Sequence, residues 1–277
     1  MECDLHIHTT YSDGSMSVRD VIYYAKKIGL KSIAITDHDS LHVMNDTIRR
    51  GEEAGIRIIP GVEATVIDRK RARPVHVLCY LPQRIEILQK FLDTTLESRR
   101  KQKMEMLQKV RKIYPLLEEQ AVFDCARDSF SIYEPHIMQP LCDLGYANAV
   151  LGQLETQLLS KGGSCYVPSN YPEINELLNA ADQAGAVIGI AHPEQFDSFE
   201  LAEELAYQGR IQAIEYDHPR NGSDGRKKIC KIAEKYGLIM TGGSDFHGQY
   251  AKTPHPMGSY GCGSDVVEKL LMCSKIR

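Results

Sequence analysis

The chain has 277 residues, a formal net charge of −4, 43% apolar residues and 25% charged residues. This composition excludes an intrinsically disordered chain, and no stretch approaches the ~18 consecutive apolar residues of a membrane span. The length suits two domains or one α/β barrel. The acidic N-terminus lacks the positively charged start of a secretory signal, so we expect a cytoplasmic protein that binds no membrane. The small negative charge provides no overall attraction to nucleic acid.

The first 82 residues alternate between strand and helix patterns. Apolar runs typical of strands cover 2–8, 31–36, 56–62 and 74–81. The first intervening helix is predicted to begin after an N-cap at Ser17 and to end at Gly29, and the second covers about 41–54. This β-α-β-α-β order predicts largely parallel strands.

The strand pattern stops near residue 84 and resumes a hundred residues later. Helices are predicted at 86–113, 117–127, 135–144 and 148–160. Further strands follow at 187–191, 212–217 and 238–243, alternating with helices at 173–184, 198–208, 222–237 and 264–273. Seven strands predict a β/α barrel, which we assign to residues 1–83 and 166–277. An all-helical insertion occupies 84–165 and is expected to cover the functional site.

Two histidines in the first strand are candidate metal ligands. His6 and His8 are two residues apart, so their side chains share one face of a strand at a spacing of ~6–7 Å. They can therefore converge on one metal ion, although two solvent-exposed histidines on an edge strand would give the same pattern.

Similar residues recur where the other strands end. Asp13 follows the first strand, Asp37 and His38 the second, His192 the fifth, and Asp245 and His247 the last, while Glu63 ends the third and His76 lies within the fourth. Taken one at a time, several of these residues could be explained by turn formation, helix capping or ordinary hydrogen bonding. Ligands collect at the carboxyl ends of parallel strands, however, and a Glu buried in an apolar strand is costly unless it is paired or bound to metal. The set therefore predicts one shared site, with Asp37 orienting an imidazole.

These motifs resemble the polymerase-and-histidinol-phosphatase (PHP) family of metal-dependent phosphoesterases. The matching segments are His6-Ile7-His8, Ser12-Asp13-Gly14, Thr36-Asp37-His38-Asp39, Gly61-Val62-Glu63, His76, Ala191-His192-Pro193 and Ser244-Asp245-Phe246-His247. The resemblance covers the chain outside the insertion and implies a distorted seven-stranded, TIM-like (β/α)7 barrel. The branch with an insertion after strand four includes nucleoside 3',5'-bisphosphate phosphatases and enzymes that trim RNA 5' ends.

The resemblance also implies two to three divalent ions. His6, His8, Glu63 and Asp245 would bind the first; Glu63, His76 and His192 the second; Asp13, His38 and His247 the third. Such mixed nitrogen and oxygen ligands suit Mn, Fe or Zn better than Mg alone. The implied reaction is hydrolysis of a phosphate monoester by a metal-activated hydroxide. Glu63, Asp37 and His218 are the predicted catalytic residues.

His136 and Arg220 are the candidate substrate contacts. His136 opens a predicted helix, whose N-terminus favours an anion, although it could instead pack within the insertion. Arg220 follows the sixth strand. Glu134 stands where the related branch has Arg or Lys, and this departure removes a positive charge near the substrate phosphate. The basic run at 99–103 is expected to be a solvated helix face.

The expected partner is a phosphorylated, nucleotide-like small molecule, such as a nucleoside 3',5'-bisphosphate. A short oligonucleotide is the alternative if the basic run faces the barrel mouth. Histidinol-phosphate phosphatase and cyclic-phosphate phosphodiesterase are the other enzyme hypotheses. A metal-stabilised structural module is the non-enzyme hypothesis.

Overall fold

The computed structural model describes residues 1–253 and 255–276. Its eight strands lie in two sheets. They are β1 (Cys3–Ile7), β2 (Ser32–Ile35), β3 (Arg57–Ile58), β4 (Gly61–Asp68), β5 (Arg73–Tyr80), β6 (Val187–Ile190), β7 (Ala213–Asp217) and β8 (Ile239–Gly242). The first sheet has the parallel order β1-β2-β3. In the second, β4-β5-β6-β7-β8, the strand β5 is antiparallel to both neighbours and the others pair in parallel.

Ten α-helices connect or follow these strands in the described residues. They are α1 (Val18–Lys27), α2 (Met44–Ala54), α3 (Ile85–Ile113), α4 (Glu119–Cys125), α5 (Glu134–Asp143), α6 (Gln153–Leu158), α7 (Ile174–Gln183), α8 (Phe199–Tyr207), α9 (Ser223–Tyr236) and α10 (Ser264–Ile276). The predicted N-cap of α1 is confirmed, because the Ser17 side chain accepts a hydrogen bond from the Asp20 backbone N–H. None of the described helices combines the length and apolar character needed to cross a membrane.

The prediction of a single third strand at 56–62 is wrong, because the structure divides this segment between β3 and β4. The Ile59 N–H still donates to Ile33 O of β2 at 2.8 Å, but Pro60 has no N–H to continue that ladder. The chain then changes partner, and β4 pairs with β5 in an antiparallel hairpin. Glu63 consequently lies near the start of β4 rather than at the end of a strand.

Backbone hydrogen bonds join the two sheets on both sides. The Glu63 N–H donates to Thr36 O at 3.1 Å, and the Asp39 N–H donates to Glu63 O at 3.0 Å. On the other side, the His8 N–H donates to Phe246 O at 2.9 Å. The predicted α/β class is confirmed. The predicted distorted barrel of seven strands is not confirmed, since the described strands form sheets of three and five.

The helices α3 to α6 follow one another between β5 and α7. They carry their own apolar cluster, in which Met106, Leu107 and Leu141 are buried. Leu88 and Leu92, in the first half of α3, pack instead into the main core under the sheets. The helix α3 therefore belongs to both cores, and the domain boundaries at 84 and 165 stay a prediction.

Candidate metal centre

Glu63 lies at the middle of a cluster of histidines. Its side chain is 1% exposed. One carboxylate oxygen, Oε1, is 2.8 Å from both His76 Nδ1 and His192 Nε2. The other oxygen, Oε2, is 3.3 Å from His6 Nε2 and 3.2 Å from both His8 Nε2 and His38 Nδ1. One carboxylate thus contacts five imidazoles from four different segments of the chain.

The two histidines at the end of β1, His6 within the strand and His8 directly after it, converge as their spacing predicts. Both rings are fully buried, and their centroids are 5.2 Å apart. The Nε2 atoms of both rings also approach Asp245 Oδ1, at 3.5 Å for His6 and 3.3 Å for His8. Asp245 follows β8, so the first and last strands of the chain meet at this point.

A second group of side chains surrounds Asp13. Its Oδ1 is 3.4 Å from His8 Nδ1 and from His247 Nε2, and its Oδ2 is 3.7 Å from His38 Nε2. His247 Nδ1 is also 3.5 Å from Asp245 Oδ1. The structure therefore brings all nine predicted ligands into one cluster. Four overlapping sets have ligand atoms within 4.8 Å of one another: His8, Asp13, His38 and His247; His6, His8, Glu63 and Asp245; His38, Glu63 and His76; and His6, Glu215 and His218.

The three carboxylates of this cluster are in the ionised form that cation binding requires. Burial alone would raise the pKa of Glu63, but the charges of His76, His6 and His38 lower it well below its usual range. Asp245 and Asp13 have similarly lowered pKa values, against the effect of burial, mainly because His247 is nearby. All three carboxylates are therefore ionised at neutral pH.

Unsatisfied ring nitrogens test whether metal ions fit. Buried polar atoms in proteins nearly always have a hydrogen-bond partner. Five buried imidazole nitrogens lack one: His6 Nε2, His8 Nε2, His38 Nδ1, His192 Nδ1 and His218 Nε2. Four of these five atoms belong to predicted ligands. Free ring nitrogens beside ionised carboxylates form a donor set that fits divalent ions.

Glu215 was missed by the sequence reasoning. It lies in β7, is 1% exposed, and contacts His6 Nδ1 with Oε1 at 2.9 Å. Burial opposes its ionisation, but the charges of His6 and His218 lower its pKa below the usual value. The signal was present in the sequence, since Glu215 follows Ala213 and Ile214 in an apolar strand, as Glu63 follows Gly61 and Val62.

His218 and Asp37, both predicted to be catalytic, are buried beside the cluster. His218 Nδ1 accepts from the Arg220 backbone N–H at 3.0 Å, so the ring proton belongs on Nε2, which is 3.4 Å from Asp245 Oδ2. Within the described part of the chain, the Asp37 carboxylate has no direct contact with an imidazole. It accepts from the Thr9 N–H at 2.8 Å and from the Ser12 hydroxyl, and so fixes the turn that leads to Asp13. Both catalytic roles stay predictions.

The two predicted substrate contacts have different surroundings. His136 is 1% exposed, and its Nδ1 accepts from the Tyr133 N–H at 3.2 Å, closing the start of α5. Burial lowers the pKa of His136 to about 4, so the ring is neutral at pH 7. Arg220 is exposed and lines a cavity of about 520 Å³ above the cluster. Arg220 is available to a ligand there, and both substrate roles stay predictions.

The expected solvated basic helix face is wrong for two of its residues. Arg99 is 6% exposed and Lys103 is 2% exposed, whereas Arg100 and Lys101 face solvent. Arg99 donates to Asp39 Oδ2 at 2.7 Å, and Lys103 donates to Glu134. The helical period turns every third or fourth residue of the run inward, and each buried cation has a carboxylate partner.

A buried cluster of histidines and carboxylates gathered by the strands of an α/β fold is typical of a metal-dependent hydrolase. The chain belongs to the PHP domain family, whose model matches residues 4–205. It is 29% identical to a phosphoribosyl 1,2-cyclic phosphate 1,2-diphosphodiesterase of Eggerthella lenta, over 91% of this chain and 96% of that protein. It is 26% identical to a 3',5'-nucleoside bisphosphate phosphatase of Chromobacterium violaceum, over 88% and 86% respectively.

A solved structure agrees with these relatives. A Bifidobacterium adolescentis protein, described as a metal-dependent phosphoesterase, superposes with a TM-score of 0.89 at 26% identity. The match covers 99% of this chain and 96% of that one. The chain is accordingly a metal-dependent phosphoesterase, which confirms the predicted enzyme class over the structural-module alternative.

Proposed function

We propose that the chain hydrolyses a phosphate ester of a small substrate that carries a second phosphate. The proposal is based on the cavity of about 520 Å³ above the cluster. Seven of the nine predicted ligands lie at its base, and its wall includes Arg220 and Lys161. A reacting phosphate would lie at the base, and a remote phosphate would contact these cations.

The charge balance of the wall supports a remote anion. Two carboxylates outside the cluster line the cavity, Glu134 and Glu155. Each already has a lysine partner: Lys103 contacts Glu134, and Lys252 Nζ is 3.0 Å from Glu155 Oε2. Among the described residues, no carboxylate pairs with Arg220 or Lys161. The wall therefore has a net positive charge that a second phosphate would neutralise.

The proposed ligand sets are those implied by the family resemblance, with two to three ions of Mn, Fe or Zn. His6, His8, Glu63 and Asp245 would hold the first ion. Divalent ions bound in such a centre lower the pKa of water and stabilise developing charge on a phosphoryl group. The Glu63 carboxylate reaches both the β1 histidines and the pair His76 and His192, so this residue would link the first two ions.

Two substrate classes are consistent with this cavity. The similarity to the Eggerthella lenta protein, over nearly the whole of both chains, favours a cyclic phosphodiester of a phosphorylated sugar. The similarity to the Chromobacterium violaceum protein favours a nucleoside 3',5'-bisphosphate. An oligonucleotide is less suited, because Arg99 and Lys103 are buried and the run at 99–103 offers no continuous cationic track.

The test is a turnover screen of the manganese-loaded protein, followed by phosphorus NMR. The panel contains a nucleoside 3',5'-bisphosphate, a 5-phosphoribosyl 1,2-cyclic phosphate, histidinol phosphate and analogues that lack the remote phosphate. We expect kcat/KM to fall at least about 10-fold when the remote phosphate is absent, as for loss of a charge-assisted contact. Phosphorus NMR distinguishes ring opening of a diester from direct release of phosphate.

Arg220→Ala tests the position of the remote phosphate. This variant should remove most of the preference for doubly phosphorylated substrates and leave turnover of the singly phosphorylated analogues unchanged. Arg57→Ala is the matched control, because Arg57 is an exposed arginine that pairs with Glu268 away from the cavity. Equal activity of the wild type on singly and doubly phosphorylated substrates would refute the proposed substrate class.

A further inference from the structure

Glu215 forms hydrogen bonds with two of the predicted ligand residues. Its Oε1 accepts from His6 Nδ1–H at 2.9 Å, and its Oε2 accepts from the His192 backbone N–H at 2.8 Å. His6 belongs to β1 and His192 follows β6, so one carboxylate contacts the side chain of a residue from one sheet and the backbone of a residue from the other. We infer that Glu215 is a positioning residue of the metal centre, an inference that rests on the proposed function.

The contact with His6 sets its tautomer. An ionised carboxylate only accepts hydrogen bonds, so a neutral His6 ring, the form that can bind a metal ion, has its proton on Nδ1. The lone pair of Nε2 then points toward Glu63 Oε2 and Asp245 Oδ1, at 3.3 and 3.5 Å. Without Glu215 the proton is free to move to Nε2, where it would block the atom that faces the centre.

The contact with His192 stabilises an unusual backbone. His192 has a φ of 25°, in a region that non-glycine residues rarely adopt. The hydrogen bond from its N–H to Glu215 Oε2 helps to maintain this conformation. The conformation in turn places His192 Nε2 at 2.8 Å from Glu63 Oε1.

The position of Glu215 itself is determined by the fold. It lies within β7 and its carbonyl accepts from Asn221 Nδ2 at 3.0 Å. Both carboxylate oxygens already accept from N–H donors, so we assign Glu215 a supporting role, although one of its oxygens also lies within 4.8 Å of ring nitrogens of His6 and His218. Its side chain does not line the cavity, which separates it from any contact with substrate.

The test compares Glu215→Gln with Asp68→Asn, a matched loss of a buried carboxylate that pairs with Arg71. A glutamine keeps only one acceptor oxygen, so one of the two contacts is lost. We expect manganese or zinc affinity to fall about 10- to 100-fold at the sites that use His6 and His192, measured by equilibrium dialysis and metal analysis. The site of Asp13, His38 and His247 should keep its ion, and Asp68→Asn should bind metal like the wild type.

A second measurement separates positioning from a structural role. Nitrogen-15 NMR of the metal-free protein, at a pH high enough for His6 to be neutral, should show the ring proton on Nδ1 in the wild type and a mixture of tautomers in Glu215→Gln. Wild-type metal affinity and an unchanged His6 tautomer in a folded Glu215→Gln protein would overturn the inference. A wild-type protein that binds no divalent ion would refute the proposed function instead, and the tautomer measurement would still report on Glu215.

Discussion

Glu63 is the residue on which the centre depends most, because it contacts five imidazoles. Glu63→Gln removes the negative charge that the first two ions would share. We expect turnover to fall at least about 100-fold, the scale for loss of one preorganised electrostatic contact, together with loss of bound metal. Steady-state kinetics and metal analysis provide the measurement, with the surface variant Glu203→Gln as control. Near wild-type turnover of Glu63→Gln would contradict the proposed site.

His136 should make folding sensitive to acid. Its pKa is about 4 in the folded chain, against about 6.5 when unfolded, so the unfolded state binds more protons between these values. The contribution of the neutral His136 ring to the free energy of unfolding is complete above pH 6.5 and is lost as the pH falls toward 4. We expect a loss of about 2 kcal/mol from this group between pH 7.5 and 5. Denaturant unfolding of wild type and His136→Gln checks this, and an identical acid dependence of both would contradict it.

For single residues, the sequence predicts a candidate ligand when a histidine or carboxylate lies at a recognisable position of a predicted strand. The β1 histidines and Asp245 could be found because each follows from strand alternation or from a strand end. The orientation of side chains behind them could not, since it depends on long-range contacts such as Glu215 with His6. His218 could be named, but the direction of its Nε2 toward Asp245 required the folded chain.

Among the elements, α3 connects the insertion to the centre. Its Arg99 donates to Asp39 Oδ2 and to Thr65 Oγ1, and the guanidinium lies over the ring of Tyr133. The Tyr133 hydroxyl donates to His38 O at 3.0 Å. Two polar links thus run from the inserted helices to the segment that carries a predicted ligand.

Removing Arg99 should be costly, because it leaves Asp39 buried without its cation. We expect Arg99→Met to lower the free energy of unfolding by about 3–5 kcal/mol. Combining it with Asp39→Asn should restore part of that loss. Denaturant unfolding measures both, and Lys101→Met, on the solvent side of α3, should change stability by less than about 0.5 kcal/mol. An Arg99→Met variant with the stability of the wild type would show that this contact does not join the two cores.

The helices were more predictable than the sheet. Predicted and observed helices overlap throughout, since caps and apolar periods are local signals. The division at Pro60 and the antiparallel pairing of β5 were missed, because pairing direction is decided by partners that lie far away in the chain. The same long-range pairing joins the sheets through Glu63 and His8 rather than through one continuous barrel.

For the whole molecule, bound metal should contribute to stability. Ions that bind only the folded chain at about 100 times their dissociation constant add about 2.7 kcal/mol. For a chain of this size, chelation should therefore lower the melting temperature by about 5–10 °C. Differential scanning fluorimetry before and after chelation, and again after addition of manganese, checks this. A melting temperature that does not change on chelation would contradict metal binding by the folded centre.

The meeting of β1 with the segment after β8 has a consequence for biosynthesis. His6 and His8 leave the ribosome before Asp245 and His247, which emerge more than two hundred residues later. The first proposed ion would have its full ligand set only after Asp245 has been translated. Nascent chains would therefore present partial histidine sites during synthesis, and tight loading of the proposed centre would have to wait for the segment after β8.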